Sequence, residues 1–286
     1  MVRVHVSRAF SWTAPVWQAD LDAFGELRNT TLLRMLQEAA TRASSDVGFD
    51  AAYYERTGLM WIIRRTRLTL TSPARYGDVL TVRTWIADFR RVRSQREYEV
   101  HARDRLVARA STDWVFVDRT TGRPRRIPDE WEATFMPDGP TAAERVPFPE
   151  TEPGPRSTTL RRRVELHELD ALRHVNNSNY VSYLEQAAYD VAGAGGFDLE
   201  AQIRAGGRLR AVSHDLEYLD AALYGETIGV TLWTIADTER EIELHAHLHR
   251  GDPTRPLLHA RSRYAWTGLD GATSMPTALR AVFSRP

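Results

Sequence analysis

The sequence predicts an α+β protein made of two copies of one unit, each a long helix covered by an antiparallel sheet. Three observations support this: a sequence repeat, a proline-rich segment between the copies, and one helix followed by several strands in each half. The chain has 286 residues, which is enough for two domains of ordinary size.

The repeat consists of matching residues at a constant spacing. Three pairs are separated by 148 positions: Asp22 and Asp170 (170 − 22), Gly48 and Gly196 (196 − 48), and Tyr76 and Tyr224 (224 − 76). Near the end of each half, Trp114 and Trp266 are separated by 152 positions (266 − 114). A spacing that grows once, by four residues (152 − 148), indicates one duplicated unit with one short insertion.

The segment between the copies is rich in Pro, Glu and Thr and has little apolar periodicity. This composition is typical of an extended, semi-rigid linker. We therefore expect an N-terminal domain over residues 1–136, a linker over residues 137–157 and a C-terminal domain over residues 158–286.

Each unit is predicted to begin with a short strand, at residues 11–18 and at residues 160–167. After a polar loop, apolar residues at helical spacing predict helices over residues 29–46 and 178–192. Segments rich in β-branched and aromatic residues follow; in the second unit they predict strands near residues 209–218, 227–235, 241–249 and 257–266. Because a sheet must bury one face, the long helix is the element expected to cover it.

The composition excludes several classes of site and partner. The chain has no cysteine, so disulfides, thiolate metal sites and cysteine nucleophiles are excluded. The formal net charge is zero, which gives no reason to expect a nucleic-acid partner. Neither a signal peptide nor an apolar run of about 18 residues is present, so we expect a cytoplasmic protein without a membrane span.

The loop before the second helix carries the most informative motif. From Asp170 to Glu185 it follows the pattern D-x-x-x-H-V-N-N-x-x-Y-x-x-x-x-E, with His174 and Tyr180 at the other marked positions. This pattern, in the second of two fused units, resembles the acyl-acyl-carrier-protein (acyl-ACP) thioesterase family. The resemblance implies two tandem hot-dog domains, in each of which a curved antiparallel sheet wraps a long helix. It also implies hydrolysis of fatty acyl-ACP to free fatty acid, with no cofactor.

In that family, the chemistry is attributed to an Asp, an Asn and a His in this loop and to a Glu on a following strand. The resemblance places Asp170 at the Asp position and His174 at the His position. Leu172 stands at the Asn position, and this chain departs from the family pattern there. The Glu position falls near residues 219–221, where Asp220 is the nearest carboxylate.

Thioester hydrolysis needs an activated water or a nucleophile, and a group that stabilises the developing oxyanion. Asp170 is predicted as general base or as nucleophile, the alternative being a carboxylate that caps its own turn. His174 is predicted to orient or protonate, the alternative being a structural histidine.

The start of the second helix is the expected oxyanion site. Asn176 and Asn177 are predicted to cap this helix, and backbone N–H groups from Val175 to Asn177 could bind the oxyanion. Glu185 belongs either to the site or to a solvated helix face. Tyr180 is expected to pack in the core.

The first unit keeps Asp22 but has Glu26 at the position of His174 and Arg28 at that of Asn176. Its site is therefore predicted to be degenerate. Since active clefts of paired hot-dog domains lie between them, Glu38 on the first helix is a candidate to contribute to the second site.

Two further patterns are interpreted without assigning a site. His245, His247 and His249 alternate on one predicted strand and so share a face, but no fourth ligand is evident and no metal is predicted. Arginine clusters at residues 64–67, 90–96 and 161–163 are expected on solvated strand faces, or one of them docks an acidic carrier protein.

The predicted function is hydrolysis of acyl-ACP, with acyl-ACP or acyl-CoA as partner. The alternatives are an acyl-CoA thioesterase, a hot-dog hydratase or dehydratase, and a non-catalytic acyl-binding hot-dog protein, for which Leu172 argues. Monomer and homodimer of the fused pair are both compatible with the sequence.

Overall fold

The computed structural model describes residues 8–141, 143–144, 146–154, 157–268 and 271–284. These residues divide into two compact units, one ending at Pro147 and the other beginning at Phe148. The division falls inside the segment predicted as a linker.

The N-terminal unit has a long helix and an antiparallel sheet. Its elements are β1 (Phe10–Pro15), α1 (Asn29–Ser45), α2 (Ala51–Thr57), β2 (Leu59–Leu70), β3 (Val79–Arg90), β4 (Arg93–Ala102), β5 (Arg105–Asp118) and α3 (Asp129–Phe135). The strand order is β1-β3-β4-β5-β2, with antiparallel pairing throughout this path. A 3-10 turn, Gln18–Asp20, follows β1.

The C-terminal unit repeats this arrangement. Its elements are β6 (Thr158–Arg163), α4 (Asn179–Ala194), α5 (Leu199–Arg204), β7 (Arg208–Tyr218), β8 (Thr227–Asp237), β9 (Glu241–His249), β10 (Pro256–Gly268), β11 (Gly271–Ala272) and α6 (Thr277–Phe283). The order β6-β8-β9-β10-β7 matches that of the first unit, and β11 pairs with β10. A 3-10 turn, Leu166–Glu168, follows β6.

Each long helix buries one face, as its periodicity predicts. In α1 the buried side chains are Leu32, Leu33, Met35, Leu36, Ala39, Ala40 and Ala43. In α4 the buried apolar side chains are Tyr180, Val181, Tyr183, Leu184, Ala187, Ala188 and Ala192. Every second residue of β9, from Ile242 to Leu248, is buried, as expected for a sheet with a covered face.

The short helices were not predicted from the sequence. Helix α2 begins where the Asp50 side chain accepts a hydrogen bond from the Tyr53 N–H, and it ends at Gly58, whose φ is 64°. Helix α3 carries Trp131, which is 1% exposed and packs among Phe49, Phe116 and Phe135. Helices of two turns contain too few apolar residues for a 3.6-residue period to be recognised.

The predicted first strands are too long at their C-terminal ends. Strand β1 ends at Pro15 and β6 at Arg163, because each is followed by a 3-10 turn. In the second turn the carboxylate of Glu168 accepts a hydrogen bond from the Glu165 N–H at 2.8 Å. This local bond takes the backbone out of the strand.

Two arginines expected on solvated strand faces are buried instead. Arg96 is 6% exposed; it donates to the Thr84 hydroxyl at 3.3 Å and lies over the ring of Phe135. Arg65 is 9% exposed and donates to the Val146 carbonyl at 2.6 Å. The long apolar stem and planar head of Arg allow such burial where acceptors are available.

The described part of the predicted linker is bonded to the sheets. Within the N-terminal unit, Arg67 donates to the Glu144 carbonyl at 2.8 Å. Within the C-terminal unit, the Thr151 hydroxyl and Nδ1 of His245 are 2.5 Å apart. The residues 142, 145, 155 and 156 of the predicted linker lie outside the described residues.

Candidate active site

Asp170 and His174 are brought together by one tight turn. The Asp170 N–H donates to the His174 carbonyl at 2.9 Å, and Oδ1 of Asp170 accepts from the Leu172 N–H at 2.8 Å. Arg173 closes the turn with a φ of 64°, in the left-handed region that non-glycine residues seldom adopt. Oδ1 of Asp170 therefore fixes the turn, and Oδ2 takes no part in these turn bonds.

The loop after β7 holds the other side of this turn. The backbone of His174 forms an antiparallel bridge with Leu223, and the Val175 N–H donates to the Ala222 carbonyl at 2.9 Å. The prediction that the Val175 N–H binds the oxyanion is therefore wrong, because that donor is already paired. The Asn176 N–H is paired as well, with the Glu168 carbonyl at 2.9 Å.

The remaining predicted oxyanion donor is the N–H of Asn177. Within the described part of the chain it makes no hydrogen bond, while the Asn177 carbonyl accepts from the Tyr218 hydroxyl at 3.1 Å. This bond holds the backbone of Asn177 just before α4 begins, where the helix dipole favours negative charge.

Asn176 lies at the entrance to α4 and bonds to its first residues. Oδ1 of Asn176 accepts from the Ser178 N–H at 3.0 Å and from the Ser178 hydroxyl at 2.7 Å. Nδ2 of Asn179 donates to the Glu168 carbonyl at 2.7 Å, which ties the helix start to the preceding 3-10 turn. These bonds form a turn ahead of the helix; the N-cap residue is Ser178 and has no side-chain cap bond, so the predicted capping by Asn176 and Asn177 is wrong.

Tyr180 packs in the core, as predicted. It is 1% exposed and its hydroxyl oxygen accepts from the Ala222 N–H at 3.0 Å. Burial raises the pKa of Tyr180 to about 12, against hydrogen bonding from Ala222 and the charge of Arg250, which lower it. The phenol therefore stays neutral, and its function is to align the loop after β7 with the helix start.

Asp220 is held by Arg250, a residue that the sequence did not single out. Arg250 also donates from Nε to both carboxylate oxygens of Glu226, at 3.0 and 3.1 Å, and contacts the Ala221 carbonyl. Partial burial raises the pKa of Asp220, but hydrogen bonds from Arg250 and the Ala221 N–H outweigh it and lower the pKa below its usual value. A carboxylate paired in this way is a poor proton acceptor.

Glu185 lies further along α4 than the Asp170 turn. It is six residues after Asn179, which is about 9 Å along a helix axis. Its side chain is 30% exposed, and Oε1 is 3.4 Å from Nε2 of the fully buried His214 on β7. The sequence did not identify His214, because a single histidine in a strand has no local signal.

Glu38 is on the exposed side of α1 within its own unit. Its Oε1 accepts from Nε of Arg42 at 2.7 Å, one turn along the helix, and its side chain is 46% exposed. Its predicted contribution to the second site stays a prediction.

The first unit reproduces the backbone of the turn but not its chemistry. The Asp22 N–H donates to the Glu26 carbonyl at 2.7 Å, and Oδ1 of Asp22 accepts from the N–H groups of Phe24 and Glu26 at 2.8 and 2.9 Å. Glu26, in place of the histidine, is 6% exposed and pairs with Arg75 at 3.1 Å. A buried, paired carboxylate thus stands where the second unit has the imidazole, and the degeneracy of this site stays a prediction.

The three histidines of β9 each have their own neighbours. His247 stacks on His259 with ring centroids 4.0 Å apart, and His249 lies 3.2 Å from the Thr231 hydroxyl. Burial, and then the neighbouring histidines, lower the pKa of His247 to about 4. In the described ranges no group of three or more His, Asp or Glu side chains has the arrangement of a metal site.

Among the residues that the structure describes, no helix is both long and apolar enough to cross a membrane.

Comparison with known families matches each unit to a thioesterase group. Residues 8–135 match the acyl-ACP thioesterase N-terminal domain, and residues 164–283 match the thioesterase-like superfamily. The chloroplastic oleoyl-acyl carrier protein thioesterase 2 of Arabidopsis thaliana is 24% identical over 172 residues, covering 54% of this chain and 47% of the relative. The chain thus spans about half the length of the curated relatives it matches.

Solved structures match over most of the chain. A Lactobacillus plantarum structure, provisionally assigned as an oleoyl thioesterase, has a TM-score of 0.76 and 19% identity, and covers 91% of this chain and 95% of its own. The 12:0-ACP thioesterase from Umbellularia californica has a TM-score of 0.70 and 18% identity, covering 91% and 94%. At these identities the structures show the shared fold of helices and antiparallel sheet. Together with the family matches, they confirm the resemblance to acyl-ACP thioesterases predicted from the motif.

Proposed function

We propose, from the match of the first unit to acyl-ACP thioesterases and of the second unit to the thioesterase-like superfamily, that this chain is a thioester hydrolase that releases fatty acid from acyl-ACP. Its two units are then tandem hot-dog domains, with a linker over residues 137–157 and the reactive site in the second domain. The observation that carries the proposal is the turn that joins Asp170 to His174 at the start of α4, a turn whose copy in the first unit lacks the histidine.

In the proposed mechanism, Asp170 acts as the general base. Oδ1 is fixed by the Leu172 N–H, so the carboxylate has a defined orientation and Oδ2 accepts a proton from water. The hydroxide oxygen attacks the thioester carbonyl, and the oxyanion is bound by the Asn177 N–H at the positive end of α4. When the C–S bond breaks, the proton that Asp170 took from water passes through His174 to the departing sulfur, so that both side chains end in the protonation state in which they began.

The remaining candidates have supporting functions in this proposal. Asn176 fixes the start of α4 through Ser178, so that the Asn177 peptide is oriented toward the oxyanion. Asp220, through Arg250, supports the loop that pairs with Val175. The cytoplasmic location, the contribution of Glu38 and the choice between monomer and dimer stay predictions.

The proposal is tested by incubating the purified chain with acyl-ACP and acyl-CoA thioesters of short, medium and long chains, and measuring free thiol. We expect catalytic turnover, with acyl-ACP preferred over acyl-CoA. A preference for acyl-CoA would support the proposed thioester hydrolase activity but would make acyl-CoA the substrate class. Stoichiometric binding without thiol release would overturn the proposal in favour of an acyl-binding protein, and hydration of enoyl thioesters would indicate a hydratase.

A further inference from the structure

A line of polar side chains leads from strand β10 through strand β7 to helix α4 inside the C-terminal unit. His214 on β7 has a side chain that is 0% exposed, and it lies directly opposite Ser262 in the strand register. Nδ1 of His214 is 2.9 Å from Oγ of Ser262. On the other side of the ring, Nε2 is 3.4 Å from Oε1 of Glu185.

The Nε2 atom of His214 faces the carboxylate of Glu185. A buried ring nitrogen without a hydrogen bond is costly, and such atoms are rare in folded proteins. Among the described residues this nitrogen has no bond of ordinary geometry, and the Glu185 carboxylate is the acceptor within reach. A shift of a few tenths of an ångström would bring the two atoms to normal hydrogen-bond length.

The tautomer of His214 follows from its other neighbours. Tyr264 is 1% exposed; burial and the charge of Glu185 raise the Tyr264 pKa, and the neighbouring Ser262 hydroxyl lowers it. Tyr264 therefore keeps its proton; it lies two residues after Ser262 on β10. We infer that Ser262 donates to Nδ1 of His214, because the imidazole proton is then on Nε2, the nitrogen that faces the Glu185 carboxylate.

The first unit has no counterpart to this line of groups. Gln37 stands at the position of Glu185 (185 − 37 = 148), and Thr66 at that of His214 (214 − 66 = 148). Thr66 is 3% exposed and pairs across the sheet with Thr112. In the unit with the degenerate turn, uncharged groups thus occupy both places. The ionisable pair occurs only beside the turn that carries the histidine.

We propose that His214, held by Ser262, is a positioning residue that fixes the Glu185 carboxylate as a second functional carboxylate of the hydrolytic site. This inference rests on the proposed thioesterase function. Glu185 then orients the attacking water or the acyl thioester, while Asp170 removes the proton. The buried histidine keeps its orientation during turnover and so holds the Glu185 carboxylate in place, as hydrogen-bond partners do for other reactive side chains.

The first test is kinetic, on the full chain. We expect Ser262→Ala to lower kcat about tenfold with KM unchanged, since partners of this kind are worth about 10- to 100-fold. Ser262→Thr keeps the hydroxyl and should restore kcat, which a purely structural loss would not predict. Thr112→Val is the matched control, because Thr112 is buried and pairs with Thr66 as Ser262 pairs with His214, and it should leave kcat unchanged. Equal kcat for Ser262→Ala and the parent chain would overturn the proposal.

The second test does not depend on activity. ¹⁵N NMR of the histidine rings should show His214, assigned by its loss in His214→Gln, with its proton on Nε2. Glu185→Gln should shift that resonance, and Ser262→Ala should change the tautomer. A proton found on Nδ1 in the parent chain would overturn the positioning function even if thioesters are hydrolysed. If no thioester is hydrolysed, the proposed function fails, and the tautomer still decides whether His214 is directed at Glu185.

Discussion

At the scale of single residues, burial decides how a histidine behaves. His247 stacks on His259 and meets Trp233 edge to face at 4.8 Å, and these contacts place the ring among apolar and like-charged neighbours. Burial, the largest cause, and the nearby histidines lower its pKa from 6.5 to about 4. The imidazolium form is therefore disfavoured in the folded chain but not in the unfolded chain.

This difference predicts how stability depends on pH. Below pH 6.5 the unfolded chain binds a proton at His247 that the folded chain binds only near pH 4, so stability falls as pH falls through this window. Above pH 6.5 this group has no effect on stability. The shift corresponds to at most about 3 kcal/mol.

His247→Gln removes this titration, so its free energy of unfolding should decrease less between pH 6.5 and 4 than that of the parent chain. Denaturant unfolding at several pH values measures it. His167→Gln, an exposed histidine in the 3-10 turn after β6, should leave the parent pH dependence in place. An unchanged slope in His247→Gln would contradict the prediction.

At the scale of elements, the short helix α3 closes an aromatic cluster of the N-terminal unit. Trp131 stacks on Phe49 with ring centroids 3.9 Å apart and lies 5.2 Å from Phe116 and 5.9 Å from Trp61. A seven-residue helix is unstable by itself, so these contacts must hold it in place.

Trp131→Ala should lower the free energy of unfolding by about 3–5 kcal/mol, because it leaves a cavity that the neighbouring rings cannot fill. Chemical denaturation of the full chain measures the change. Trp17 is 64% exposed, and Trp17→Ala is expected to change stability by less than about 0.5 kcal/mol. A similar effect from both substitutions would show that α3 is not held by Trp131.

Gly193 and Gly229 differ in the space that is available for an added methyl group. At Gly193, near the end of α4, an added Cβ has no neighbour within 4 Å, so Gly193→Ala should stabilise the chain by about 0.5–1 kcal/mol. At Gly229 on β8, the added Cβ would collide with the ring of His249, so Gly229→Ala should destabilise it. Thermal unfolding of the two variants should shift the midpoint in opposite directions. Destabilisation by Gly193→Ala would contradict the first expectation.

At the scale of the whole molecule, duplication has produced two units with one backbone pattern and different side-chain chemistry. Asp170 and Asp22 make the same hydrogen bond to the carbonyl four residues later, at 2.9 and 2.7 Å. The residue at that position is His174 in one unit and the buried Glu26 in the other.

The two aspartates therefore offer a matched pair of variants. Asp170→Asn keeps the oxygen that accepts the Leu172 N–H but removes the base, so kcat should fall about 10²- to 10⁴-fold without loss of stability. Asp22→Asn makes the same change in the first unit and should leave kcat unchanged. Thiol release by the purified variants measures both. Comparable losses in the two variants would show that the first unit also takes part in catalysis.

Features encoded by neighbouring residues were predictable from the sequence. The long helices and the strands β7 to β10 of the second unit follow from their periodicity, and their bounds differ by no more than two residues from those predicted. The turn from Asp170 to Asn176 spans few residues, so its motif indicates its geometry directly. The acidic residues Asp20 and Glu168, also 148 apart (168 − 20), could have been recognised from the repeat as markers of the 3-10 turns.

The sequence by itself determined the duplication, the α+β class of each unit, the family resemblance and the placement of Asp170 beside His174. Only the tertiary structure decided that Val175 has no available N–H, that Arg250 holds Asp220 and that His214 lies between Ser262 and Glu185. The reason is physical: periodicity and turn chemistry act between residues close in sequence. The partners of buried polar groups depend instead on strand register and helix packing, which bring together residues about 30 to 50 positions apart.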